Sequence, residues 1–290
     1  MILVVTDAFD DTANAVIAAL NDRGAPWARF NLGEFPERSL AGFDPVRPEE
    51  GFFQDGAGER VCWGAVRATW IWHPAGFGLG PGLTPDQARF VQSACRHACR
   101  AILAFLRERT FMVNPLDREA RAEDKALQLR TAARLGLAVP ETLVTNAPEA
   151  ARAFCRRHPQ VVFKTLNPPR LGAGPAVSWF STRLLGPEDL AALDGIRSCP
   201  GIFQPLVPKR FDLRVTLVGG RVFPVEIHSQ DDPATAVDFR RCWAEGIRLP
   251  HRVHALPEPV RAGAWPGSWG WSTAPWTWWS RQRGSTCSWK

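Results

Sequence analysis

The sequence predicts two mixed domains in series, an α/β unit followed by an α+β unit. A chain of 290 residues is long enough for two modest hydrophobic cores. In the first part, short apolar strands alternate with amphipathic helices. In the second part strands dominate, and "FDLRVTLVGG" with "RVFPVEIHSQ" predicts a hairpin that turns at Gly219-Gly220. We expect domains at residues 1–115 and 116–262, followed by a Trp-rich tail at 263–290.

The first unit begins with a predicted strand, "MILVVT", and an amphipathic helix, "TANAVIAALNDRG", that ends at Gly24. "PWARFNL" predicts a second strand and "RVCWGAVRATWIWHP" two more. The segment "TPDQARFVQSACRHACRAILAFLRER" predicts a long helix that begins at Thr84 and Pro85. The turns contain no glycine-rich phosphate loop, so this unit is not a Rossmann nucleotide site by its fingerprint.

The second unit begins with a predicted helix, "DREARAEDKALQLRTAARLG", in which Leu127, Ala132 and Leu135 face inward. Strands are predicted at "VPETLVT", "QVVFKTL" and "GIFQPLV", with a helix at "GPEDLAALDGI". The segment "RLGAGPAVSWFSTRLL" is predicted as loop and strand. Its start, "RLGAG", could cover a phosphate, although a plain connection is the simpler interpretation.

Composition excludes several classes of protein. The net charge is +6, but four positive charges lie from Arg261 onward, where there is no acidic residue, so the rest is near neutral. We therefore expect no nucleic-acid partner. We expect no membrane partner either, because no run of about 18 apolar residues occurs. The N-terminus lacks the features of a signal peptide, and the seven scattered cysteines predict reduced thiols in a cytoplasmic protein.

One segment, "CRHAC", raises the alternative of a metal site made by Cys95, His97 and Cys99. Two cysteines four residues apart on an apolar helix face are more typical of a core, and no second ligand pair follows. We therefore predict no metal site here.

Lysine is scarce, with four residues in the chain: Lys125, Lys164, Lys209 and Lys290. Lys164 ends an apolar strand, "VVFK", where an ammonium group is costly unless it meets an anion such as phosphate. Further candidates follow in order: "FQPLV", Asp212-x-Arg214, Glu226 and Arg240. Taken singly, each has an ordinary interpretation, such as a solvated helix residue for Lys125 or a surface ion pair for Arg214.

Taken together, these residues carry a resemblance. From Met1 to about Pro259 the chain resembles the ATP-grasp ribosomal-peptide maturases, the ligases that build graspetides such as microviridins. "TDAFDDTANAVIAALNDRG", "RFNLGEFP" and "WIWHP" are similar to their pre-ATP-grasp domain, which usually has W-x-R-R-P where this chain has Trp72-His73-Pro74. "VVFKTL", "FQPLVPKRFDLRVTLVGGRVFPVEIHSQ" and "DFR" follow the central pattern. The implied fold is a pre-ATP-grasp α/β domain followed by an ATP-grasp fold of two α+β lobes.

The resemblance implies roles for the candidate residues. Lys125 and Lys164 would hold the α- and β-phosphates of ATP, and the backbone at Gln204 and Leu206 would pair with adenine. Arg214 would steady the γ-phosphoryl group with help from Arg240. The resemblance implies that Asp212 is a catalytic residue and that Glu226 belongs to the cofactor site, where each would order this basic group or touch the substrate.

The implied reaction has two steps. ATP phosphorylates an Asp or Glu side chain of a ribosomal precursor peptide, and a Ser/Thr hydroxyl or a Lys amine then displaces phosphate to form an ester or an amide. The implied cofactors are ATP and Mg²⁺, and a homodimer is compatible with the resemblance. Two alternatives stay open: a ligase for an amino acid or a protein C-terminus, and a non-catalytic binder of a precursor peptide.

The end of the chain departs from the family. The family's Mg²⁺ carboxylates lie in patterns like L-G-L-x-x-G-A-x-D-L-V and F-L-E-x-N-P, which this sequence lacks. Its tail instead holds seven of the thirteen Trp residues. Trp has the single codon TGG, so a reading shifted by one base has forced residues: Gly at Trp269-Gly270, Asp at Trp276-Thr277 and Glu at Trp289-Lys290. Their spacing matches the family's.

This match favours a frameshifted metal-binding end that starts near Gly263. The alternative, a Trp-rich interfacial membrane anchor, is disfavoured because Pro266 and Pro275 would break a helix. We therefore expect an incomplete C-terminal lobe, an irregular and poorly packed tail, and weak nucleotide binding without turnover.

Overall fold

The computed structural model describes residues 1–166, 180–219 and 221–256 with their side chains. It also describes the backbone of four strands at 170–171, 178–179, 273–280 and 287–289. The chain divides into two compact units, Met1–Glu119 and Ala120–Lys290. No helix among the described residues has the length and apolar character needed to cross a membrane.

The first unit contains a parallel four-stranded sheet of order β2-β1-β6-β7 and an antiparallel three-stranded sheet of order β3-β4-β5. The elements are β1 (Ile2–Val5), α1 (Asp11–Asp22), β2 (Trp27–Phe30), β3 (Leu40–Gly42), β4 (Phe52–Gln54), β5 (Arg60–Cys62), β6 (Ala68–Ile71), α2 (Pro85–Arg109) and β7 (Phe111–Val113). These elements bear out the predicted alternation of strands and helices.

The two predicted helices of the first unit begin where their sequences indicate. Asp10 caps α1 by accepting from the Ala13 backbone N–H at 2.7 Å, and Thr84 forms a capping box with Gln87 at the start of α2. Gly24 follows α1 with φ +61°, a conformation that glycine adopts without strain. Local sequence therefore determines these boundaries.

Cys95 and Cys99 lie on the inner face of α2 and pack into the hydrophobic core of the first unit. Burial raises the pKa of the Cys99 thiol to about 12, so the thiol stays protonated at neutral pH. This placement supports the core interpretation over the metal alternative.

The second unit contains two larger antiparallel sheets, of order β12-β9-β13-β8 and β16-β15-β14-β17-β18, and a two-stranded sheet of β10 and β11. Helix α3 (Leu116–Glu123) contains the boundary between the two units in the sequence. The other elements of the second unit are α4 (Lys125–Arg134), β8 (Leu143–Thr145), α5 (Pro148–Arg157), β9 (Val161–Thr165), β10 (Arg170–Leu171), β11 (Ser178–Trp179), β12 (Arg183–Leu184), α6 (Pro187–Ala191), β13 (Gly201–Pro205), β14 (Asp212–Val218), β15 (Arg221–Ile227), α7 (Arg241–Glu245), β16 (His251–Val253), β17 (Thr273–Ser280) and β18 (Cys287–Trp289). Residues 172–177, within the segment "RLGAG…RLL", lie outside the described residues.

The predicted single helix before β8 is two helices. Asp124 separates α3 from α4 and caps α4, because its carboxylate accepts from the Leu127 backbone N–H at 2.9 Å. Ala132 is buried as predicted, but Leu135 follows the last residue of α4 and is 39% exposed, so its inward placement was wrong. An aspartate's preference for capping outweighed the continuous helical pattern.

In both large sheets the alternation of strand side chains separates the face that packs against a helix from the opposite face, which carries candidate site residues. Phe163 and Phe203 pack with Phe154 of α5, whereas Lys164 and Gln204 point to the opposite face. The second large sheet is organised in the same way. Leu213, Val215 and Leu217 of β14 pack with Ala132 of α4, which leaves Asp212, Arg214 and Thr216 on the other face.

The predicted hairpin forms between β14 and β15, where Val218 pairs with Arg221 across the turn. Gly219 has φ +53°, which favours glycine, and Gly220 lies outside the described residues.

The expectation of an irregular tail was wrong for part of its backbone. β17 pairs antiparallel with β14 along all seven residues of that strand, and β18 pairs with β17. Without β17, β14 would expose an edge of backbone donors and acceptors, and the Trp and Thr residues of the tail favour extended backbone. The other residues of 263–290, and all its side chains, lie outside the described residues.

Candidate functional site

A chain of side-chain hydrogen bonds fixes the position of the Lys164 side chain on its sheet. The Lys164 ammonium Nζ donates to Gln204 Oε1 at 2.6 Å, and Gln204 Nε2 donates to Thr142 Oγ1 at 2.8 Å. Gln204 is only 3% exposed, so its amide is a rigid partner. The ammonium of Lys164 therefore has a defined position on the face opposite α5.

Lys125, the first residue of α4, reaches the end of the same strand. Its ammonium donates to the backbone carbonyl of Thr165, the residue that follows Lys164. Burial lowers the pKa of Lys125, and the positive charge of Arg240 lowers it further, while Asp238 and Glu123 act in the opposite direction. The two predicted phosphate-binding lysines thus converge on the end of β9.

Arg214 and Arg240 belong to the same positively charged region. Burial lowers the pKa of Arg214, and so does the nearby charge of Arg240, although an arginine stays protonated at any ordinary pH. We call Lys125, Lys164, Arg214 and Arg240 the basic cluster. Half-buried like charges repel each other, so such a cluster is typical of a surface that binds a multiply charged anion.

Asp238 neutralises part of this charge and was not singled out from the sequence. Its carboxylate oxygen Oδ1 lies 3.2 Å from Arg240 Nη1, and its Oδ2 accepts from the Thr182 backbone N–H at 2.8 Å. Asp238 is 2% exposed. The available signal was the Asp-x-Arg spacing of "DFR", which repeats that of Asp212 and Arg214.

Asp212 supports the cluster from inside the protein. It has no exposed surface, and its Oδ2 accepts from Lys209 Nζ at 2.8 Å and from Ser229 Oγ at 2.6 Å. A fully buried side chain does not touch a substrate, so a catalytic contact by Asp212 is wrong. Its placement agrees with the other predicted role, which is to order neighbouring groups.

Glu226 is separated from the cluster by the sheet itself. It pairs with Leu213, whose side chain lies in the core against α4, so Glu226 points away from the face that carries Arg214. Its carboxylate lies 2.9 Å from His228 Nε2 and 2.7 Å from His254 Nδ1. The prediction that Glu226 contacts the nucleotide is therefore wrong, because a shift of one residue along a strand changes the face.

The contacts of Glu226 predict a pH-dependent contribution to stability. Partial burial raises the pKa of Glu226, but the hydrogen bonds with His254 and His228 outweigh it and hold the pKa below its usual range. A carboxyl group with a depressed folded-state pKa stabilises the fold above its unfolded-state pKa. That contribution is lost as the pH falls through the folded-state pKa.

We expect Glu226→Gln to lower the free energy of unfolding by about 1 kcal/mol at neutral pH. The difference should shrink as the pH falls towards about 3, where carboxyl groups become protonated. Urea denaturation of both proteins at the two pH values measures this, with exposed Glu188→Gln as the matched control. A difference that grows on acidification would contradict the assignment.

The expected adenine contacts are displaced by one residue. The Leu206 backbone N–H donates to the Gln160 carbonyl at 2.9 Å, and Gln204 pairs with Val162 of β9, so both backbones face β9. The prediction that Gln204 and Leu206 pair with adenine through their backbone is therefore wrong. By alternation, Pro205 and Val207 face the opposite side, beyond the last β8 pair at Leu143 and Phe203.

Comparisons with known proteins give the family context. No family model matches the chain, and no curated protein matches it. Among solved structures, it is similar to the macrocyclase MdnC bound with precursor peptide MdnA from Microcystis aeruginosa MRC. The two are 26% identical with a TM-score of 0.83, over 97% of this chain and 88% of that chain. The chain has the ATP-grasp fold of this ligase class.

Two further structures agree. The Chryseobacterium gregarium RiPP-associated ATP-grasp ligase, in complex with ADP and a leader and core peptide, is 21% identical with a TM-score of 0.83, over 100% of this chain and 87% of that chain. The ligase PsnB, complexed with a phosphomimetic variant of minimal precursor, Mg and ADP, is 22% identical with a TM-score of 0.73, over 100% and 88%. The predicted fold class and the resemblance are confirmed.

Within this ATP-grasp fold, the basic cluster lies entirely in the second unit. Lys164 comes from one of the two large sheets and Arg214 from the other, while Lys125 begins a helix and Arg240 ends an irregular segment. Four separate elements therefore bring their positive charges to one region.

Proposed function

We propose that the chain is built to bind ATP at the basic cluster and to activate Asp or Glu side chains of a ribosomally made precursor peptide, and that its turnover is impaired with the present tail. The observation that carries this proposal is the convergence of Lys125, Arg214 and Arg240, which share electrostatic interactions, near the strand end that bears Lys164. The similar C. gregarium ligase, in complex with ADP and a leader and core peptide, supports both the nucleotide and the peptide.

The two lysines are assigned to the phosphates that stay on ADP. Lys164 is held by Gln204, and Lys125 is held at Thr165, so both ammonium groups are positioned before the ligand binds. Such preorganised cations neutralise the charge of a triphosphate without a reorganisation cost at the moment of reaction.

Adenine is assigned to the backbone that faces away from β9. The Pro205 carbonyl would accept from the exocyclic amine, and the Val207 N–H would donate to a ring nitrogen. Leu206 is held in the sheet by its bond to Gln160 and fixes the register of this segment. This assignment replaces the contacts expected at Gln204 and Leu206.

Arg214 and Arg240 are assigned to the transferring phosphoryl group. A peptide carboxylate oxygen attacks the γ-phosphorus, the bond to the β-phosphate oxygen breaks, and ADP leaves. A hydroxyl or amine of the peptide then attacks the acyl carbon, phosphate leaves, and the nucleophile's proton is lost to phosphate or water. Two guanidinium groups stabilise the negative charge that develops on the phosphoryl oxygens.

Magnesium does not fit the described residues. No group of three or more His, Cys, Asp or Glu side chains suited to a metal occurs in residues 1–166, 180–219 and 221–256. The two carboxylates next to the arginines, Asp212 and Asp238, are engaged by Lys209 and Arg240. The similar ligase PsnB was solved with Mg and ADP. The poor fit to Mg²⁺ therefore concerns the side chains that the described residues of this chain offer to the metal.

Two further assignments belong to the proposal. The cytoplasm is its proposed location, supported by the six cysteines of the described residues, which are all free thiols. A homodimer is its proposed assembly, as the family resemblance suggests. No nucleic-acid or membrane partner is included, because the charge outside the tail is near neutral and no apolar run is long enough.

Isothermal titration tests the nucleotide assignment directly. ATP and ADP should each bind the full chain at one site with a Kd between about 1 μM and 1 mM, and the affinity should fall with salt. A non-catalytic peptide binder would give no heat with either nucleotide at millimolar concentration, and that result would overturn the proposal.

A further inference from the structure

The ion pair of Lys209 and Asp212 is almost completely buried. Their side chains are 4% and 0% exposed, and Lys209 Nζ lies 2.8 Å from Asp212 Oδ2. A buried ion pair is weak evidence for a role in stability, because desolvation of both charges offsets most of their attraction. Because the pair lies beside the basic cluster, its role is better explained by the positioning of neighbouring residues.

The pair organises the segment 228–240, which is mostly irregular. Ser229 Oγ donates to Asp212 Oδ2 at 2.6 Å, and Thr235 Oγ1 donates to the Ser229 carbonyl at 2.8 Å. Lys209 Nζ also lies 3.4 Å from the Val237 carbonyl. Ser229, Thr235 and Asp212 have no exposed surface, so this network holds the segment from within.

The network is connected along the backbone to both arginines of the basic cluster, because each arginine lies a few residues from one of its members. Asp212 lies two residues before Arg214 on the same face of β14. Val237 immediately precedes Asp238, whose carboxylate binds both the side chain and the backbone N–H of Arg240 at 3.2 Å. Lys209 is thus the link between the strand that carries Arg214 and the segment that carries Arg240.

We propose that Lys209 is a positioning residue that holds Arg240 at a fixed separation from Arg214. The positive charge of Arg240 disfavours the charged form of Arg214, so the two guanidinium groups would move apart without such a link. The inference rests on the proposed function for what the arginines bind, while the link itself lies wholly in described residues. It assigns Lys209 no contact with substrate.

The test uses a double variant, Lys209→Met with Asp212→Asn. Changing Lys209 alone would leave a buried carboxylate without its cation and could unfold the chain, whereas the double variant removes both charges and keeps the shapes similar. The matched control is Arg210→Met, at the exposed neighbouring position.

Hydrogen exchange read by mass spectrometry gives the first readout, without nucleotide. We expect amides of residues 229–240 to exchange about tenfold faster in the double variant, with α5 unchanged. Unchanged exchange in this segment, or equal acceleration throughout the chain, would overturn the proposal. This readout does not depend on ATP binding, so it decides the proposal even if the proposed function fails.

ATP affinity by isothermal titration gives the second readout. We expect the double variant and Arg240→Ala each to weaken binding about tenfold, and the combination to be no weaker than Arg240→Ala alone. Losses that multiply would show that Lys209 acts independently of Arg240 and would overturn the proposal. If Lys164→Met also leaves ATP affinity unchanged, the proposed function has failed, and hydrogen exchange alone decides the role of Lys209.

Discussion

Lys164→Met is expected to weaken ATP binding about 10- to 100-fold, the value of one or two charge-assisted hydrogen bonds to phosphate. Lys164 is half-buried and positioned by Gln204, so the wild-type side chain loses little conformational entropy when it binds the phosphates. Methionine keeps the length and apolar character of the side chain. Isothermal titration with ATP at fixed ionic strength measures the change.

The free energy of unfolding should not fall in Lys164→Met, because the substitution removes one of several like charges from the basic cluster. Urea denaturation checks this and separates lost affinity from lost folding. The matched control is Arg156→Met. Arg156 is exposed, and its helix, α5, packs against the other face of the same sheet. Equal affinity losses in the two variants would contradict a phosphate contact by Lys164 and would point to general electrostatics.

Lys164 could be predicted because its strand is short and its signal is local. An ammonium at the end of "VVFK" conflicts with its apolar neighbours, and such a conflict marks a functional position. Asp212 and Arg214 also follow from local spacing, since residues two apart on a strand share a face. Their common face is what the structure shows.

The orientations of Glu226 and Leu206 could not be predicted from local sequence. The face of Glu226 depends on its register against Leu213, and the direction of the Leu206 backbone depends on its pairing with Gln160. Both are contacts between distant parts of the chain, and an error of one residue reverses each result. The motif gave the right segment in both cases, but the pairing decides which residue faces the ligand.

The convergence of Lys125, Arg214 and Arg240 has no local signal either. These residues lie on a helix start, a strand and an irregular segment, separated by up to 115 positions in the sequence. These residues come together only in the folded second unit, and the sequence predicted this only through its resemblance to the family. Lys209 was visible as one of four lysines, but its link to Val237 depends on the same long-range fold.

Replacement of residues 263–290 by the reading shifted by one base is expected to produce Mg²⁺-dependent ATP turnover. The shifted reading places Asp at the junction of Trp276 and Thr277, which in β17 lie opposite Val215 and Arg214. A carboxylate there would stand on the strand next to Arg214 and would add to Asp212 and Asp238, which Lys209 and Arg240 already engage. Because Mg²⁺ contributes several kcal/mol to phosphoryl transfer, the rate should rise by at least about 10³-fold.

ADP release by the printed chain and by the restored chain, each with Mg²⁺ and with EDTA, measures this effect. A restored chain in which Asp at that junction is changed to Asn is the matched control, because it keeps the strand and removes one negative charge. It should lose most of the gain, since Mg²⁺ prefers carboxylate ligands. Equal Mg²⁺-dependent turnover by the printed chain, or a gene sequence with an intact reading frame over codons 255 to 290, would show that the tail belongs to this protein. In that case β17 would complete the sheet beside β14 without serving as a metal-binding strand.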